Sequence, residues 1–318
     1  MSSVPEFGTT TTITAEGLPE EFRSVWTDLR NVSFSQGWID ANGVRTRYLR
    51  AGNPDAPKLV MLHGTGGHAE VFAPNLGPFG EHFDCWAIDF VGHGYPDKPD
   101  RPYDRFYTAQ YLQDFMDAAG IESADYIAIS VSALHTLRLA QVAPERIRRM
   151  VLVTPFGSPM PEEGEALYNM WTDTERRSMG SRDAAAKAPT FDTAKKILSG
   201  VVADIEQIPD DMIAARFDAA RQPGAPDAYK HVMWWVEHDI RIANTMTKEQ
   251  LAEIPHPTLT FGGANDPAFL PNATGTADAM PNAACVLVEG ASHWANYEDP
   301  VTFNRIALEF LTTSDLGV

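Results

Sequence analysis

The sequence predicts an α/β protein in which a mostly parallel sheet is flanked by helices. Short runs that are apolar at nearly every position recur along the chain, with helical patterns between them. Such runs indicate strands buried on both faces, and strands that alternate with helices indicate parallel pairing through right-handed crossovers. The predicted strands are 59–62, 85–89, 126–129, 150–153, 259–261 and 285–288, and the predicted helices are 109–119, 132–142 and 301–311.

Two regions depart from this alternation. Residues 37–40 and 44–48 alternate apolar and polar side chains around Asn42-Gly43, which predicts a hairpin ahead of the parallel strands. Residues 157–250 contain helical patterns without a buried strand, and a helical insertion between two strands of one sheet most simply forms a lid. The predicted domains are an N-terminal extension at 1–34 with a mobile Thr-rich start, a core at 35–156 and 251–318, and a helical lid at 157–250.

Composition and charge exclude several classes of partner. The 318-residue chain has 44% hydrophobic residues, enough for a full core, and a net charge of −18. This acidic charge disfavours nucleic-acid phosphates and anionic lipid, so neither nucleic acid nor membrane is expected as a partner. Cys85 and Cys285 lie in apolar runs and are expected to be buried free thiols. No stretch approaches the roughly 20 apolar residues of a membrane span, and no secretory signal is visible, so we expect a cytoplasmic enzyme.

Three side chains suited to nucleophilic catalysis come shortly after predicted strands. They are Ser130, Asp266 and His293, in that chain order. Because the carboxyl ends of parallel strands meet at one edge of a sheet, these side chains are expected to lie close together. A serine hydroxyl needs an imidazole to take its proton, and the imidazole needs a carboxylate to fix its tautomer. The sequence therefore predicts a catalytic triad.

Ser130 lies at a predicted turn from strand to helix, in the pattern Ala128-x-Ser130-x-Ser132. Small residues on both sides of a serine allow a sharp turn that exposes the hydroxyl above the sheet. Ser132 is the rival nucleophile, but the bulky Leu134 stands two residues after it, where such a turn requires a small side chain. Ser130 is therefore the predicted nucleophile.

The loop 62–67, of sequence LHGTGG, follows another predicted strand and is here termed the oxyanion loop. Glycines let backbone N–H groups point at the negative charge that develops on a carbonyl oxygen under attack. The predicted donors are the N–H groups of Thr65 and of Val131, the residue after the nucleophile. Gly64 and Ile129 are predicted to border the substrate.

Several other side chains are predicted to be structural. His63 is expected to brace the oxyanion loop and His93 a tight turn, whereas His68 fits either a surface loop or the mouth of the pocket. The predicted lid contains the tryptophans Trp171, Trp234 and Trp235, which are expected to pack against lid or core residues. No set of His, Cys and carboxylate residues has metal-ligand spacing, and no dinucleotide motif is present, so neither metal nor cofactor is expected.

Together these motifs resemble those of the α/β-hydrolase family over nearly the whole chain after residue 37. The resemblance rests on His63-Gly64, Asp89-x-x-Gly92-His93-Gly94-Tyr95, the Ser130 turn, Gly263-x-x-Asp266 and Ser292-His293-Trp294-Ala295. Within that family the chain is similar to the meta-cleavage-product hydrolases, which split ring-fission products at a carbon–carbon bond. The resemblance implies an α/β-hydrolase fold, a substrate carboxylate held by Arg216, a pocket wall formed by Trp294, and a homodimer.

The nucleophile turn departs from the pattern of the carbon–carbon hydrolases. Their serine usually follows an asparagine and precedes glycines, whereas here Ile129 precedes Ser130 and Ser132-Ala133 replaces the glycines. An apolar Ile129 cannot offer a polar contact to a dienol. This difference favours ester hydrolysis, as in the monoalkyl phthalate hydrolases that the chain also resembles.

The expected function is hydrolysis of a small carboxylic ester, in particular a monoester with a free carboxylate, through an acyl-enzyme. Two alternatives stay open. One is a carbon–carbon bond hydrolase acting on a 2-hydroxy-6-oxo-dienoate ring-fission product. The other is a hydrolase-like protein that binds ligands without catalysis, because a fold alone does not imply activity.

Overall fold

A nine-stranded, mostly parallel sheet forms the centre of the computed structural model, which describes residues 4–16, 23–157, 187–233, 238–267 and 269–313. The strands are β1 (Thr10–Thr14), β2 (Phe34–Ala41), β3 (Val44–Ala51), β4 (Lys58–Leu62), β5 (Asp84–Ile88), β6 (Ala124–Ile129), β7 (Ile147–Val153), β8 (Thr258–Gly263) and β9 (Ala283–Glu289). Their spatial order is β1-β9-β8-β7-β6-β4-β5-β3-β2; the β2–β3 and β3–β5 pairs are antiparallel and all other pairs are parallel. The predicted fold class is therefore confirmed.

Helices cover both faces of this sheet. Those within the described residues are α1 (Val25–Leu29), α2 (Ala73–Gly80), α3 (Arg105–Ala119), α4 (Val131–Val142), α5 (Phe191–Leu198), α6 (Asp210–Ala220), α7 (Ala225–Val232), α8 (His238–Asn244), α9 (Lys248–Ala252), α10 (Leu270–Ala279), α11 (Ala295–Glu298) and α12 (Pro300–Thr312). Successive strand residues alternate between two cores: Ala128 belongs to the core with α3 and α4, and Ile129 to the core with α2 and α12. Burial on both faces explains why the central strands are apolar at successive positions.

The predicted hairpin is formed by β2 and β3, which pair antiparallel from Phe34–Ala51 to Ala41–Val44. Its two turn residues, Asn42 and Gly43, have φ angles of 52° and 86°. A two-residue turn with both φ angles positive matches the twist of the flanking strands, and asparagine followed by glycine is the preferred pair for it.

The N-terminal segment corrects one expectation. The Thr-rich start of the chain was expected to be mobile, but β1 is an edge strand that pairs parallel with β9, from Thr10–Cys285 to Thr14–Glu289. Threonine is β-branched and suits a strand, while Ile13 packs partly against the core. Because its other side chains are exposed, this strand lacks the apolar run by which the central strands are predicted.

Helices α5 to α9 fall between β7 and β8, in the interval predicted as a lid. Hydrogen bonds join this interval to loops of the sheet, two of them near the predicted site. The His293 N–H donates to the Val201 carbonyl at 3.0 Å, and the Tyr95 hydroxyl donates to the Asp218 carboxylate at 2.9 Å. The three tryptophans predicted to pack in the lid, Trp171, Trp234 and Trp235, lie outside the described residues. No helix in the described ranges combines the length and apolar character needed to cross a bilayer.

Candidate active site

Ser130 lies on a strained turn between β6 and α4. Its φ and ψ angles are 56° and −122°, a backbone conformation that side-chain-bearing residues rarely adopt. The Ser130 N–H donates to the Val153 carbonyl at 2.9 Å, and the Ser130 carbonyl accepts the Phe156 N–H at 3.1 Å. Strain of this kind costs about 1–3 kcal/mol and persists where the surrounding structure enforces it, most often at functional sites.

The oxyanion loop packs directly against this turn. A Cβ atom at position 64 would lie 3.0 Å from the Cβ of Ser130, which is a tight contact, so glycine lets the loop approach the turn closely. The hydroxyl of Ser132 donates to the His63 carbonyl at the start of the loop. Ser132, the alternative nucleophile considered from the sequence, therefore connects the turn to the oxyanion loop through a hydrogen bond.

His293 and Asp266 are joined by a hydrogen bond at the ends of neighbouring strands. The His293 Nδ1 lies 2.7 Å from the Asp266 Oδ2, and both side chains are buried. Their loops approach closely at Gly263, where a Cβ atom would meet the Ser292 carbonyl oxygen at 2.0 Å. The Phe269 ring contacts the imidazole of His293 edge-on, with 4.6 Å between ring centroids. These contacts fix both the position and the tilt of the imidazole.

The loop that carries His293 is held by a half-buried carboxylate, that of Glu298. Its Oε1 accepts the N–H groups of Ser292 at 3.2 Å and Trp294 at 2.9 Å, on either side of the histidine. Its Oε2 accepts the Ala203 N–H, from the lid interval, at 2.7 Å. Burial raises the pKa of Glu298, and the three backbone hydrogen bonds oppose this shift. Sequence reasoning missed Glu298, whose position five residues after His293 was the available signal.

Glu298→Gln is expected to lower the free energy of unfolding by about 1–3 kcal/mol, because the new NH₂ group would face a backbone N–H that the carboxylate now accepts. Displacement of the His293 loop should also reduce turnover. Urea unfolding and steady-state kinetics would measure both effects. Glu253→Gln, at an exposed position, is the matched control. Equal stability of the two variants would contradict the assigned role of Glu298.

A cavity of about 320 Å³ lies beside these residues. Most of the predicted site residues line it, namely Gly64, Thr65, Ser130, Val131, Arg216, His293 and Trp294. Asp266 does not line it and contacts it through His293. Val131 is the first residue of α4, and the first N–H groups of a helix have no intrahelical acceptor, so its N–H is available to a ligand.

Ile129 is the exception among the predicted site residues. It was predicted to border the substrate, but its side chain is fully buried in the core with α2 and α12 and does not line the cavity. Neighbouring strand residues point to opposite faces, and position 129 faces the core. The residue type at 129 therefore gives no argument about the substrate.

The charged side chains that line the cavity are basic. They are Arg216 and Lys98. The imidazoles of His93 and His293 also line the cavity, and no Asp or Glu occurs among the described lining residues. An Arg216 Nη2 lies 3.5 Å from the Thr65 carbonyl oxygen, so this arginine of α6 reaches the oxyanion loop. Lys98 was not singled out in the sequence, because a lysine in the acidic segment DKPD resembles a solvated surface residue.

The remaining histidine predictions have mixed outcomes. His63 braces the oxyanion loop as predicted: its Nε2 accepts the Phe90 N–H at 2.9 Å and its Nδ1 donates to the Gly64 carbonyl at 2.8 Å. Burial holds the pKa of His63 well below its usual value. His68 is neither a surface residue nor part of the cavity mouth, since it is buried and its Nδ1 lies 2.8 Å from a Glu70 carboxylate oxygen. Within the described residues, no cluster of His, Cys, Asp or Glu side chains could hold a metal ion.

Comparison with known proteins identifies the family. Residues 57–300 match the sequence model of the alpha/beta hydrolase fold family. The chain belongs to this family. This α/β hydrolase is 26% identical over 290 residues to the 2-hydroxymuconate semialdehyde hydrolase of Pseudomonas sp. strain CF600. The alignment covers 87% of this chain and 94% of the relative. The chain is 22% identical over 273 residues to a carboxylesterase of Bacillus subtilis strain 168, covering 84% of each.

A solved structure gives the same fold for this α/β hydrolase. The 2-hydroxy-6-oxo-6-phenylhexa-2,4-dienoate hydrolase of Rhodococcus sp. strain RHA1 superimposes with a TM-score of 0.73 at 22% identity, covering 89% of this chain and all of the other. The predicted family and fold are thus confirmed. The relatives in sequence therefore include an enzyme named for hydrolysis of 2-hydroxymuconate semialdehyde and one named as a carboxylesterase.

Proposed function

We propose that this α/β hydrolase cleaves a small carboxylic ester through a covalent acyl-enzyme on Ser130. The observation that supports this most strongly is the cavity that both Ser130 and His293 line, with His293 hydrogen-bonded to Asp266. A nucleophile on a strained turn, a base and an orienting carboxylate at the ends of three strands are the groups that acyl transfer needs.

In the proposed mechanism, His293 takes the proton of the Ser130 hydroxyl as its oxygen attacks the ester carbonyl. Asp266 accepts a hydrogen bond from the Nδ1–H of His293, which keeps the proton on Nδ1 and leaves Nε2 free to act as the base. The N–H groups of Thr65 and Val131 stabilise the negative carbonyl oxygen, and each such donor typically contributes about 10²–10³ in turnover. The protonated His293 gives its proton to the departing alcohol, and a water activated by His293 then releases the acid.

The proposed substrate has a small, largely apolar body and a free carboxylate, as a monoalkyl phthalate has. The cavity volume of about 320 Å³ supports a small substrate, and its lining combines apolar side chains with the cation of Arg216. Residues of α5, α6 and α7 line the same cavity, among them Ile197, Ala219 and Tyr229. We infer from this that the helical interval acts as a lid that shapes the substrate site.

Hydrolysis of a carbon–carbon bond in a ring-fission product is the second candidate. It is supported by the sequence relative named for a 2-hydroxymuconate semialdehyde. That reaction requires a dienol to be converted to its keto form before attack, so a group must deliver a proton to carbon. Ester cleavage needs only the nucleophile, base and oxyanion donors named above, and we favour it for that reason.

A turnover assay distinguishes the two candidates. It compares monomethyl phthalate with a 2-hydroxy-6-oxo-dienoate, each with the wild type and with Ser130→Ala. We expect faster cleavage of the ester, lost in the variant. Faster cleavage of the dienoate would overturn the ester assignment in favour of the carbon–carbon reaction. Labelling of Ser130 by an organophosphonate addresses the non-catalytic alternative, because a protein without an activated serine would not be labelled at any concentration.

A further inference from the structure

Lys98 is a second cation at the cavity. It lies five residues after His93 in the chain. It follows β5 and lines the cavity together with Gly94. Its ammonium donates to the carbonyls of Gly94 at 3.1 Å and Pro96 at 2.8 Å. An ammonium has three protons, so these two carbonyls orient the group and leave a third donor.

This ammonium is partly desolvated, and no carboxylate in the described part of the chain lies close to it. Burial lowers the pKa of Lys98, opposed by the more distant charges of Asp89 and Asp97. Within the described residues, no carboxylate lies within ion-pair distance of its Nζ. At an apolar cavity wall few water molecules solvate a cation, and the effective dielectric constant is low. An anionic group of a ligand therefore stabilises the cation there more than it would in water.

Lys98 and Arg216 reach the cavity from different elements and are anchored at different points. Arg216 extends from α6 to the Thr65 carbonyl, whereas Lys98 is held by the turn at Gly94 and Pro96. Both cations nevertheless act on one imidazole, that of His93. Burial and the charges of Lys98 and Arg216, against a hydrogen bond to the Val91 carbonyl, lower the pKa of His93 to about 4. At neutral pH the imidazole is therefore uncharged, and the two basic side chains provide the charge.

We propose that Lys98 is an anion-binding residue of the substrate site, separate from Arg216, and that the substrate carries two carboxylates. The inference rests on the proposed ester hydrolysis, in which one carboxylate already lies near Arg216. Two cations with separate anchors hold two anionic groups better than one, and no acidic side chain among the described lining residues competes with a ligand for the Lys98 ammonium. The chemical class is therefore a small ester with two free carboxylates on its acyl part.

The test compares three methyl esters that differ in charge: methyl benzoate, monomethyl phthalate and monomethyl trimellitate. For the wild type we expect kcat/KM to be highest for trimellitate, which carries two free carboxylates. Lys98→Met should lower the ratio of kcat/KM for trimellitate to that for phthalate by about tenfold to a hundredfold, since a charge-assisted hydrogen bond is lost. Lys98→Arg keeps the charge and should retain most of the ratio. Lys248→Met, at an exposed lysine, is the control and should leave the ratio unchanged.

The opposite results are equally informative. If Lys98→Met reduces phthalate and trimellitate cleavage by the same factor, both cations hold one carboxylate and the proposal of two is wrong. If the variant changes neither, Lys98 does not bind substrate. Calorimetric titration of monomethyl trimellitate into Ser130→Ala, with and without Lys98→Met, separates this proposal from the ester mechanism, because it requires no turnover. Equal affinity of the two proteins would overturn the role of Lys98 even if the esters are cleaved.

Discussion

Ser130→Ala is expected to lower kcat by about 10⁶-fold on any substrate that the wild type cleaves, because the acyl-enzyme can no longer form. The remaining activity would come from the oxyanion donors and from substrate binding alone. Stability should change little or increase, since alanine lacks the hydroxyl but the backbone turn at φ 56° is retained. Single-turnover kinetics at enzyme excess, with intact mass spectrometry to detect the acyl-enzyme, would measure the loss.

Ser132→Ala is the matched control for this variant. Ser132 lies two residues away, is also buried, and donates its hydroxyl to the His63 carbonyl. Its loss should weaken the contact between turn and oxyanion loop and reduce turnover modestly, without abolishing the acyl-enzyme. A larger effect of Ser132→Ala than of Ser130→Ala would reverse the assignment of the nucleophile.

The sheet and the nucleophile turn could be predicted because their signals are local. Strands such as β4 and β6 are buried on both faces, so each is apolar along most of its length. The Asn42-Gly43 turn requires positive φ angles that this pair adopts readily. Ser130 was identified because small neighbours mark a sharp turn, and its observed backbone strain agrees with that reason.

Exposed strands and side-chain directions could not be predicted in the same way. The edge strand β1 consists mainly of threonine with exposed side chains, so it resembles a polar segment until its partner β9 is known. Ile129 precedes the nucleophile directly, yet it points into the core. Alternation along a strand shows that neighbouring residues diverge, but it does not show which face meets the cavity.

Contacts between distant segments were also beyond the sequence. The Arg216 guanidinium lies against Thr65, 151 residues away, and the Glu298 carboxylate accepts the Ala203 N–H, 95 residues away. Each pairing depends on how the helical interval folds back over the sheet. The role of Arg216 at the cavity was expected only through the family resemblance, and Lys98 and Glu298 were found only once the partners of their polar atoms were known.

Asp266→Asn is expected to lower kcat by about 10⁴-fold while leaving the fold intact. In the wild type the Asp266 N–H donates to the Gly263 carbonyl at 3.0 Å. Asparagine has nearly the same shape as aspartate, so the backbone N–H at position 266 can keep this hydrogen bond. Its side-chain amide, however, can donate to Nδ1 of His293 where the carboxylate accepted. That hydrogen bond favours the tautomer with its proton on Nε2, which cannot accept the proton of Ser130.

The wrong tautomer has a signature that a structural defect would not share. Asp266→Asn should bind an unreactive substrate analogue with nearly wild-type affinity, so kcat falls while the dissociation constant is preserved. Asn265→Asp, at the exposed neighbouring position, moves a carboxylate by one residue and should not restore activity when combined with Asp266→Asn. A loss below about tenfold in Asp266→Asn would mean that orientation of His293 depends chiefly on the Glu298 and Phe269 contacts. The carboxylate would then contribute little beyond the fixed geometry of the loop, and the triad assignment would fail at its third member.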